Sequence, residues 1–341
     1  MTSDSYDVVI IGGGPAGLGA ALTLSRARRR VLVVDAGRPR NARAAKAHGY
    51  LGREGVPPLE LLAIGRAEVT GYGAEVRTGT VTSVQRLPSG LFRIGTGDST
   101  VDARRVLLAT GLVDDLPAIA GIEDRWGRDV LHCPYCHGWE ARDQVVGIIG
   151  AGPASVHQAL LWRQWAEVIL FGNDTVELTD EDHTRLSARG IAVVTGRVAR
   201  LVVEDDVLTG VELVDGSVVA VRFAVVLPIA HADDSLVLPL GLPAVEQRMG
   251  AQPVGTVLPT TGPFGTTEVP GVWVAGNAGD HRAQVIVSAA DGVLVGARIN
   301  LDLVDEDTAR AVALHPFTPE LEQQVCERVL GDRRHGIDVS A

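Results

Sequence analysis

The sequence contains the same pattern twice: a short apolar strand, a glycine-rich turn, a helix and a second apolar strand. The first turn is Gly12-Gly13-Gly14-Pro15-Ala16-Gly17, and the second is Gly150-Ala151-Gly152-Pro153-Ala154-Ser155. A glycine turn between a strand and a helix directs backbone N–H groups and the positive end of the helix dipole at a pyrophosphate. The repeat therefore predicts an α/β chain with two Rossmann-like dinucleotide-binding units.

Short alternating strands follow each unit, and residues 271–277 read as one more strand running into a glycine turn. A helix is predicted after that turn, over about 285–301. We infer that the chain returns to the first unit after the second, so that the second unit is inserted in the first. The predicted limits are residues 1–117 and 245–341 for the first domain, and residues 118–244 for the inserted domain.

The composition excludes several classes of protein. The 341-residue chain has a net charge of −11 and is 46% apolar, which suits a globular α/β protein. The acidic balance, without a basic stripe, argues against nucleic acid and anionic membranes as partners. The chain shows neither a run of ~20 apolar residues nor a basic segment followed by an apolar core at its start. We therefore expect a cytoplasmic protein that binds neither nucleic acid nor membrane.

The first glycine loop has the residues that a dinucleotide requires. Gly12 permits the tight turn, Gly14 a close approach of the cofactor, and Gly17 the packing of helix on strand. Asp35 ends the next strand, 18 residues after Gly17, where a carboxylate can bind a ribose. The loop alone does not distinguish a flavin from a nicotinamide dinucleotide. The predicted cofactor contacts in this part are Gly12, Gly14, Pro15, Ala16, Gly17, Asp35 and Ala36.

Two of the three cysteines form the motif Cys133-Pro134-Tyr135-Cys136, followed by His137. A close pair in a reducing compartment is more often catalytic or metal-binding than structural. The CxxC arrangement lowers the pKa of one thiol and makes it a better nucleophile. Three alternatives stand beside a redox-active dithiol: c-type haem attachment at C-x-x-C-H, a zinc site, and an inert structural pair. Haem attachment requires export, and zinc usually requires a second Cys/His pair, so we expect no metal ion.

Together with the strand ends at 109–111 and 273–277, these motifs resemble the two-dinucleotide-domain flavoproteins. Within them the chain is similar to the low-molecular-weight thioredoxin reductases, over residues 6 to about 302. The resemblance implies FAD in the first domain, a nicotinamide-domain-like inserted module, and a homodimer. Most members have Asp at the position of Asn277, whose amide can also hydrogen-bond the ribityl chain. The further FAD contacts that the resemblance implies are Asn41, His48, Val81, Ala109, Thr110, Gly111, Gly276, Asn277, Ala283, Gln284 and Val285.

The resemblance also assigns roles around the dithiol. In the family the CxxC lies just before the second glycine loop, as Cys136 does here, and the second cysteine faces the flavin while the first meets the substrate. Members usually have Asp after the second cysteine. Here His137 follows it, and a histidine can accept and release a proton near neutral pH; His132 is a second candidate. The CxxC motif followed by His137 resembles that of the dithiol oxidases, which form the disulfides of gliotoxin-type, holomycin-type and romidepsin-type natural products.

The second glycine loop departs from the NADPH-binding pattern. It ends in Ser155, and its next strand is followed by Gly172-Asn173-Asp174 instead of the family's His-Arg-Arg cluster for the 2′-phosphate. Asp174 would repel that phosphate, although NADH is not excluded. Without a hydride donor, electrons have to enter through the thiols.

We therefore predict an FAD-dependent dithiol oxidase. It would close an intramolecular disulfide in a small-molecule dithiol and pass the electrons to molecular oxygen, which gives hydrogen peroxide. One alternative is an NAD(P)H-dependent reductase of a thioredoxin-like protein. Another is a non-catalytic flavin and dithiol redox sensor that binds a partner protein.

Overall fold

The computed structural model describes residues 5–97, 99–314 and 318–330. The chain divides into a compact unit of residues 1–297 and a second of residues 298–341. The part up to residue 115 consists of β1 (Ser5–Ile11), α1 (Pro15–Arg26), β2 (Val31–Asp35), α2 (Pro58–Gly71), β3 (Glu75–Thr78), β4 (Ser83–Arg86), β5 (Phe92–Thr96), β6 (Ser99–Leu108) and β7 (Val113–Asp115).

The remaining elements follow in two groups. Those from residue 122 to 231 are α3 (Ile122–Arg125), β8 (Val130–Leu131), α4 (Pro134–His137), β9 (Val145–Ile149), α5 (Ala154–Trp162), β10 (Glu167–Phe171), α6 (Asp180–Ala188), β11 (Ala192–Val194), β12 (Val198–Glu204), β13 (Val207–Leu213), β14 (Val218–Ala220), β15 (Phe223–Val225) and β16 (Ile229–His231). The last are β17 (Val245–Met249), β18 (Gln252–Val257), β19 (Val272–Val274), α7 (Val285–Leu314) and α8 (Pro319–Leu330), with 3₁₀ turns at Leu238–Leu240, Pro263–Gly265 and Gly276–Ala278.

The first sheet has seven strands in the order β3-β2-β1-β6-β5-β4, with β19 paired to β6. The pairs β1–β2, β2–β3, β1–β6 and β6–β19 are parallel. Because helices cover both faces of a parallel sheet, its strands are apolar on both sides. Val8, Val9 and Ile10 of β1 are accordingly fully buried. The pairing of β19 with β6 brings residues 272–274 back to the first sheet.

The second sheet has five strands in the order β11-β10-β9-β15-β8, and its pairs are parallel. On one face α5 packs through Trp162, which is fully buried. On the other face the antiparallel sheet β12-β13-β14 contributes Leu208 and Val211 to a core with Phe171. A fourth sheet, β17-β18-β16-β7, joins strands from before and after the second glycine loop.

The first sheet is mixed, since β4–β5 and β5–β6 are antiparallel, and the second is parallel throughout. Each has a glycine turn between a parallel strand and a helix, which confirms the predicted α/β class. The domain limits of 1–117, 118–244 and 245–341 stay predictions, and within them residues 1–4, 98, 315–317 and 331–341 lie outside the described residues. The prediction of a helix over 285–301 was too short. α7 continues to Leu314 because residues 302–314 contain no glycine or proline. Among the described helices, none has both the length and the apolar character that crossing a bilayer demands.

Candidate active site

The first glycine loop lies where α1 leaves β1. A methyl group placed on Gly17 would lie 1.9 Å from the carbonyl oxygen of Gly12, and Gly12 has a φ of +105°, which favours glycine. A methyl group on Gly14, in contrast, would meet no atom within 4 Å. The loop is therefore closely packed on its inner side and open at the glycine that a pyrophosphate would approach.

Two other predicted cofactor segments meet this loop. A methyl group on Gly12 would lie 2.3 Å from the carbonyl oxygen of Ala109, at the end of β6. One on Gly276 would lie 2.7 Å from the Cβ of Ala16. Thr110 and Gly111 continue directly from Ala109, and Gly111 has a φ of +70°. The ends of β1, β6 and β19 thus converge on one edge of the first sheet.

The segment after β19 is held in place by Asn277. Its amide donates to the carbonyl oxygens of Ala283, at 2.8 Å, and Asp280, at 3.0 Å. This fixes the turn that leads to Gln284 and to Val285, where α7 begins. A methyl group on Gly49 would lie 3.7 Å from the side-chain oxygen of Gln284, so the loop containing His48 reaches the same place.

The remaining predicted contacts lie around the first sheet. Asp35 stands beside the loop, since a methyl group on Gly13 would lie 2.9 Å from its Cβ. One oxygen of Asp35 accepts a hydrogen bond from Arg66 at 2.8 Å, a pairing that the sequence did not reveal. Ala36 is exposed. Asn41 lies in the following loop, where its carbonyl accepts from the backbone of Ala44. The side chain of Val81 packs in the first core.

The two cysteines of the dithiol lie at one short helix. Cys133 precedes α4 and Cys136 lies within it, and their sulfur atoms are 2.8 Å apart. Both side chains are half-buried. The carbonyl oxygen of Cys133 accepts from the backbone N–H groups of Cys136 and His137, at 3.2 Å each. These bonds form a single helical turn that holds the sulfur atoms within reach of a disulfide bond.

The two thiols differ in acidity. The Cys136 thiol donates to Cys133, and the N–H groups of Cys136 and Tyr135 also point at the Cys133 sulfur, which lowers the pKa of Cys133 to about 7 although burial opposes the shift. The pKa of Cys136 is raised because it donates that bond and is buried. Cys133 is therefore the thiol that ionises first near neutral pH.

The two candidate histidines have different surroundings. Burial lowers the pKa of both His132 and His137. Nδ1 of His132 lies 3.2 Å from the carbonyl oxygen of Val226, which fixes its ring as a structural donor. Nδ1 of His137 is buried, and no hydrogen-bond partner for it exists among residues 5–97, 99–314 and 318–330. Of the two, His137 is the one whose Nδ1 forms no hydrogen bond within the described residues.

A third histidine, His48, lies at the dithiol. Its Nδ1 is 2.5 Å from Glu54 and its Nε2 is 3.3 Å from Glu140, and the first contact lowers the pKa of Glu54. His48 was predicted from the resemblance as an FAD contact, and the structure brings it to the cysteines as well. No sequence pattern indicated a role for Glu54. Glu140, three residues after His137, carried no predicted role.

A cavity of about 380 Å³ opens at Cys136, and His48, Glu54 and Glu140 line it. Tyr135 and Trp139 also line it, and they are 64% and 66% exposed. Their rings therefore present exposed aromatic surface beside Cys136. Within the described part of the chain, no group of three or more His, Cys, Asp or Glu side chains could hold a metal ion. The complete lining is Lys46, His48, Gly49, Glu54, Gly55, Tyr135, Cys136, Trp139 and Glu140.

Two glycine-loop units define the class of protein, together with a CxxC dithiol that lies beside the His48–Gly49 segment of the first unit. Residues 6–292 match the pyridine nucleotide-disulphide oxidoreductase family, and the chain belongs to that family. It is an oxidoreductase and, as a thioredoxin reductase-like member, an FAD-binding flavoprotein. The predictions that the protein is an oxidoreductase and that its cofactor is FAD are confirmed.

Individual relatives give the same result. The chain is 30% identical to the thioredoxin reductase tcpT of Claviceps purpurea, over 89% of this chain and 96% of that protein. It is 45% identical to HlmI, whose crystal structure superposes with a TM-score of 0.83 over 96% of this chain and 98% of that one. An oxidoreductase from Agrobacterium tumefaciens is 35% identical, with a TM-score of 0.82 over 88% and 99%. The predicted resemblance to thioredoxin reductase-like flavoproteins is confirmed.

The residues around the first loop fit FAD. The open side of Gly14 would leave room for a pyrophosphate, Asp35 beside the loop could bind a ribose, and Gln284, after the turn fixed by Asn277, lies beside Gly49. These residues would hold the cofactor close to Gly49, which also lines the dithiol cavity.

A pair of glycine variants tests this assignment. Gly14→Ala should fold normally without cofactor, because its methyl group meets open space, but should weaken FAD binding roughly ten- to a hundred-fold by blocking hydrogen bonds to phosphate. Gly17→Ala should instead destabilise the apoprotein by about 3 kcal/mol through overpacking. Thermal unfolding of the apoproteins and FAD titration measure both effects. Normal FAD affinity in Gly14→Ala would contradict the placement of the pyrophosphate.

The acidity of Cys133 is also testable. Alkylation of Cys133 in the reduced protein, followed by peptide mass spectrometry, should rise with pH around a midpoint of about 7. Cys136→Ala removes the donated bond and should move the midpoint towards the ~8.5 of an ordinary thiol. Cys136→Ser keeps a donor and should show a smaller change. Equal midpoints in the wild type and Cys136→Ala would show that Cys136 does not stabilise the thiolate.

Proposed function

We propose that the protein is an FAD-dependent dithiol oxidase that closes an intramolecular disulfide in a small-molecule dithiol. It would act in the cytoplasm as a homodimer. The observation that carries the proposal is the Cys133–Cys136 pair, of which Cys136 lines a cavity of about 380 Å³ and Cys133 lies 2.8 Å from it, sulfur to sulfur. This volume suits a small molecule, and the aromatic rings of Tyr135 and Trp139 offer apolar surface beside the sulfur atoms. The similarity to HlmI, 45% identical over nearly the whole of both chains, supports the same branch of the family.

The chemistry at the cysteines is thiol–disulfide exchange. A substrate thiolate attacks the sulfur of Cys133 in the oxidised pair; the Cys133–Cys136 bond breaks, and a mixed disulfide forms with Cys133. The second substrate thiolate then attacks the substrate sulfur of this bond, so the substrate disulfide forms and Cys133 leaves as a thiolate. The low pKa of Cys133 favours the second step, because a more acidic thiol is a better leaving group.

FAD held at the first glycine loop would supply the acceptor for the two electrons of the reduced cysteines and their route to molecular oxygen, which would yield hydrogen peroxide. The residues of the chain handle the two protons of the substrate thiols. His137 is neutral at physiological pH because burial lowers its pKa, so it can accept a proton from an incoming thiol. His48, between Glu54 and Glu140, lines the cavity beside Cys136 and can receive the second proton.

The electron donor decides between this function and a reductase. The segment after β10, Gly172-Asn173-Asp174, supplies a carboxylate and no arginine. A 2′-phosphate carries negative charge and needs cations, so NADPH is poorly served there. Electrons from a substrate dithiol require no such site.

One experiment separates the candidate functions. We expect oxidised, FAD-loaded protein to lose its flavin absorbance when mixed anaerobically with dithiothreitol, and to keep it with NADH or NADPH. In air, disulfide and hydrogen peroxide should then form in equal amounts. Bleaching by a nicotinamide but not by the dithiol would establish a reductase and overturn the proposal. No reaction with either would favour a redox sensor.

Cysteine variants supply the controls for this assay. Cys136→Ser should retain FAD but lose dithiol-driven bleaching, because the second sulfur of the exchange is missing. Cys326→Ser alters the third cysteine, in α8, and should behave as the wild type. Unchanged turnover of Cys136→Ser would refute the role of the pair.

The role of His137 predicts a particular pH dependence. His137→Gln should slow dithiol oxidation about a hundred-fold near pH 7, which is the scale of general base catalysis. The difference should shrink above about pH 9, where substrate thiols ionise without a base. In the wild type the rate should fall as the pH drops through the lowered pKa of His137, where the ring becomes protonated. His132→Gln is the matched control, and a defect in His137→Gln that is equal at all pH values would indicate a structural role.

A further inference from the structure

The two glycine loops differ at the position where a pyrophosphate would bind. Gly14 of the first loop and Gly152 of the second occupy the same place in their motifs. A methyl group on Gly14 would meet open space, whereas one on Gly152 would lie 2.9 Å from the side-chain oxygen of Gln252. The second loop is therefore already filled by a side chain from β18.

Gln252 binds the loop through both ends of its amide. Its oxygen accepts from the backbone N–H of Ala154 at 3.0 Å, and its NH₂ group donates to the carbonyl oxygen of Ala151 at 2.8 Å. Ala154 corresponds to Ala16 of the first loop, and an N–H at this helix start is one that a phosphate oxygen would use. The amide oxygen of Gln252 stands in for that phosphate oxygen.

Two further side chains complete the internal hydrogen bonding of the second loop. Ser155, at the position of Gly17, is fully buried and accepts from the N–H of Ala151 at 2.9 Å. Asn173 lies 18 residues after Ser155, the same spacing that separates Asp35 from Gly17. Its amide donates to the carbonyl oxygen of Gly150 at 3.0 Å and accepts from the N–H of Val198 at 2.9 Å. The side chain at the position that would bind a ribose hydroxyl is thus hydrogen-bonded to the backbone of the protein itself.

We propose that Gln252 occupies the pyrophosphate position of the second glycine loop and is the residue that excludes nicotinamide dinucleotides from this unit. The inference goes beyond the proposed function, since it concerns a different site and involves no dithiol.

The strand that carries Gln252 is firmly anchored. Gly255 of β18 pairs with Ala230 of β16, and a methyl group on Gly255 would lie 1.8 Å from the carbonyl oxygen of Ala230. A strand packed this closely cannot shift without disturbing its neighbour. A dinucleotide would have to break both hydrogen bonds of the Gln252 amide. Because the fold holds this amide beside the loop, its effective concentration there is high, and a free ligand competes poorly with it.

Calorimetric titration of the FAD-loaded protein with NADH and with ADP-ribose, both anaerobic, tests the proposal. ADP-ribose carries the pyrophosphate without a transferable hydride. We expect no saturable binding to the wild type, and at least about ten-fold tighter binding to Gln252→Ala, the gain from one recovered hydrogen bond to a charged ligand. If Gln252→Ala does not fold, Gln252→Asn replaces it, because its amide is one methylene too short to reach both loop atoms.

Gln247→Ala is the matched control, since Gln247 lies on neighbouring β17 and its amide donates a hydrogen bond to the carbonyl oxygen of Glu246 instead of to the second loop. It should bind neither ligand, like the wild type. Equal affinity of the wild type and Gln252→Ala, whether both bind or neither does, overturns the proposal, as does an equal gain in Gln247→Ala. The titration contains no dithiol, so its failure is distinct from a failure of the oxidase assay.

Discussion

The close contact between α1 and its neighbours is the constraint on which the cofactor side of the molecule depends. Gly17 lets α1 start directly against Gly12 at the end of β1. On the opposite side, a methyl group on Gly292 of α7 would lie 2.0 Å from the carbonyl oxygen of Ala16. α1 is thus held between β1 and α7 without room for a side chain at either contact. Because of this packing, segments separated by more than two hundred residues meet at one edge of the first sheet.

The geometry and acidity of the dithiol depend on hydrogen bonds and charges, whereas the cofactor side depends on close packing. The pair sits at a single helical turn, and its acidity comes from the N–H and S–H groups that point at Cys133. Beside the pair, Nδ1 of His137 has no hydrogen-bond partner in the described part of the chain, and His48 lies between two carboxylates. Each of these residues belongs to a loop or a short turn, where side chains can face a ligand. The sheets hold these loops at fixed positions.

Much of this could be predicted from the sequence, because the informative patterns were local. The glycine turns, the apolar strands and the CxxC motif each lie within a few residues, so their structures follow from short-range rules. The contacts that could not be predicted are long-range. Gln252 contacts the second loop from a position about a hundred residues away in the sequence. The pairing of Arg66 with Asp35 and that of Glu54 with His48 also arise only in the folded chain, and no local pattern marks them. The end of α7 was also missed, since a polar helical extension shows little apolar periodicity.

The acidity of Cys133 has a consequence for the energetics of the disulfide. A folded protein that stabilises the thiolate of one cysteine stabilises the reduced form of the pair relative to the bonded form. The Cys133–Cys136 bond is therefore easier to reduce than a disulfide between two ordinary thiols, and it acts as the stronger oxidant towards such thiols. The hydrogen bonds to one sulfur atom thus favour the transfer of electrons from external thiols to the cysteine pair.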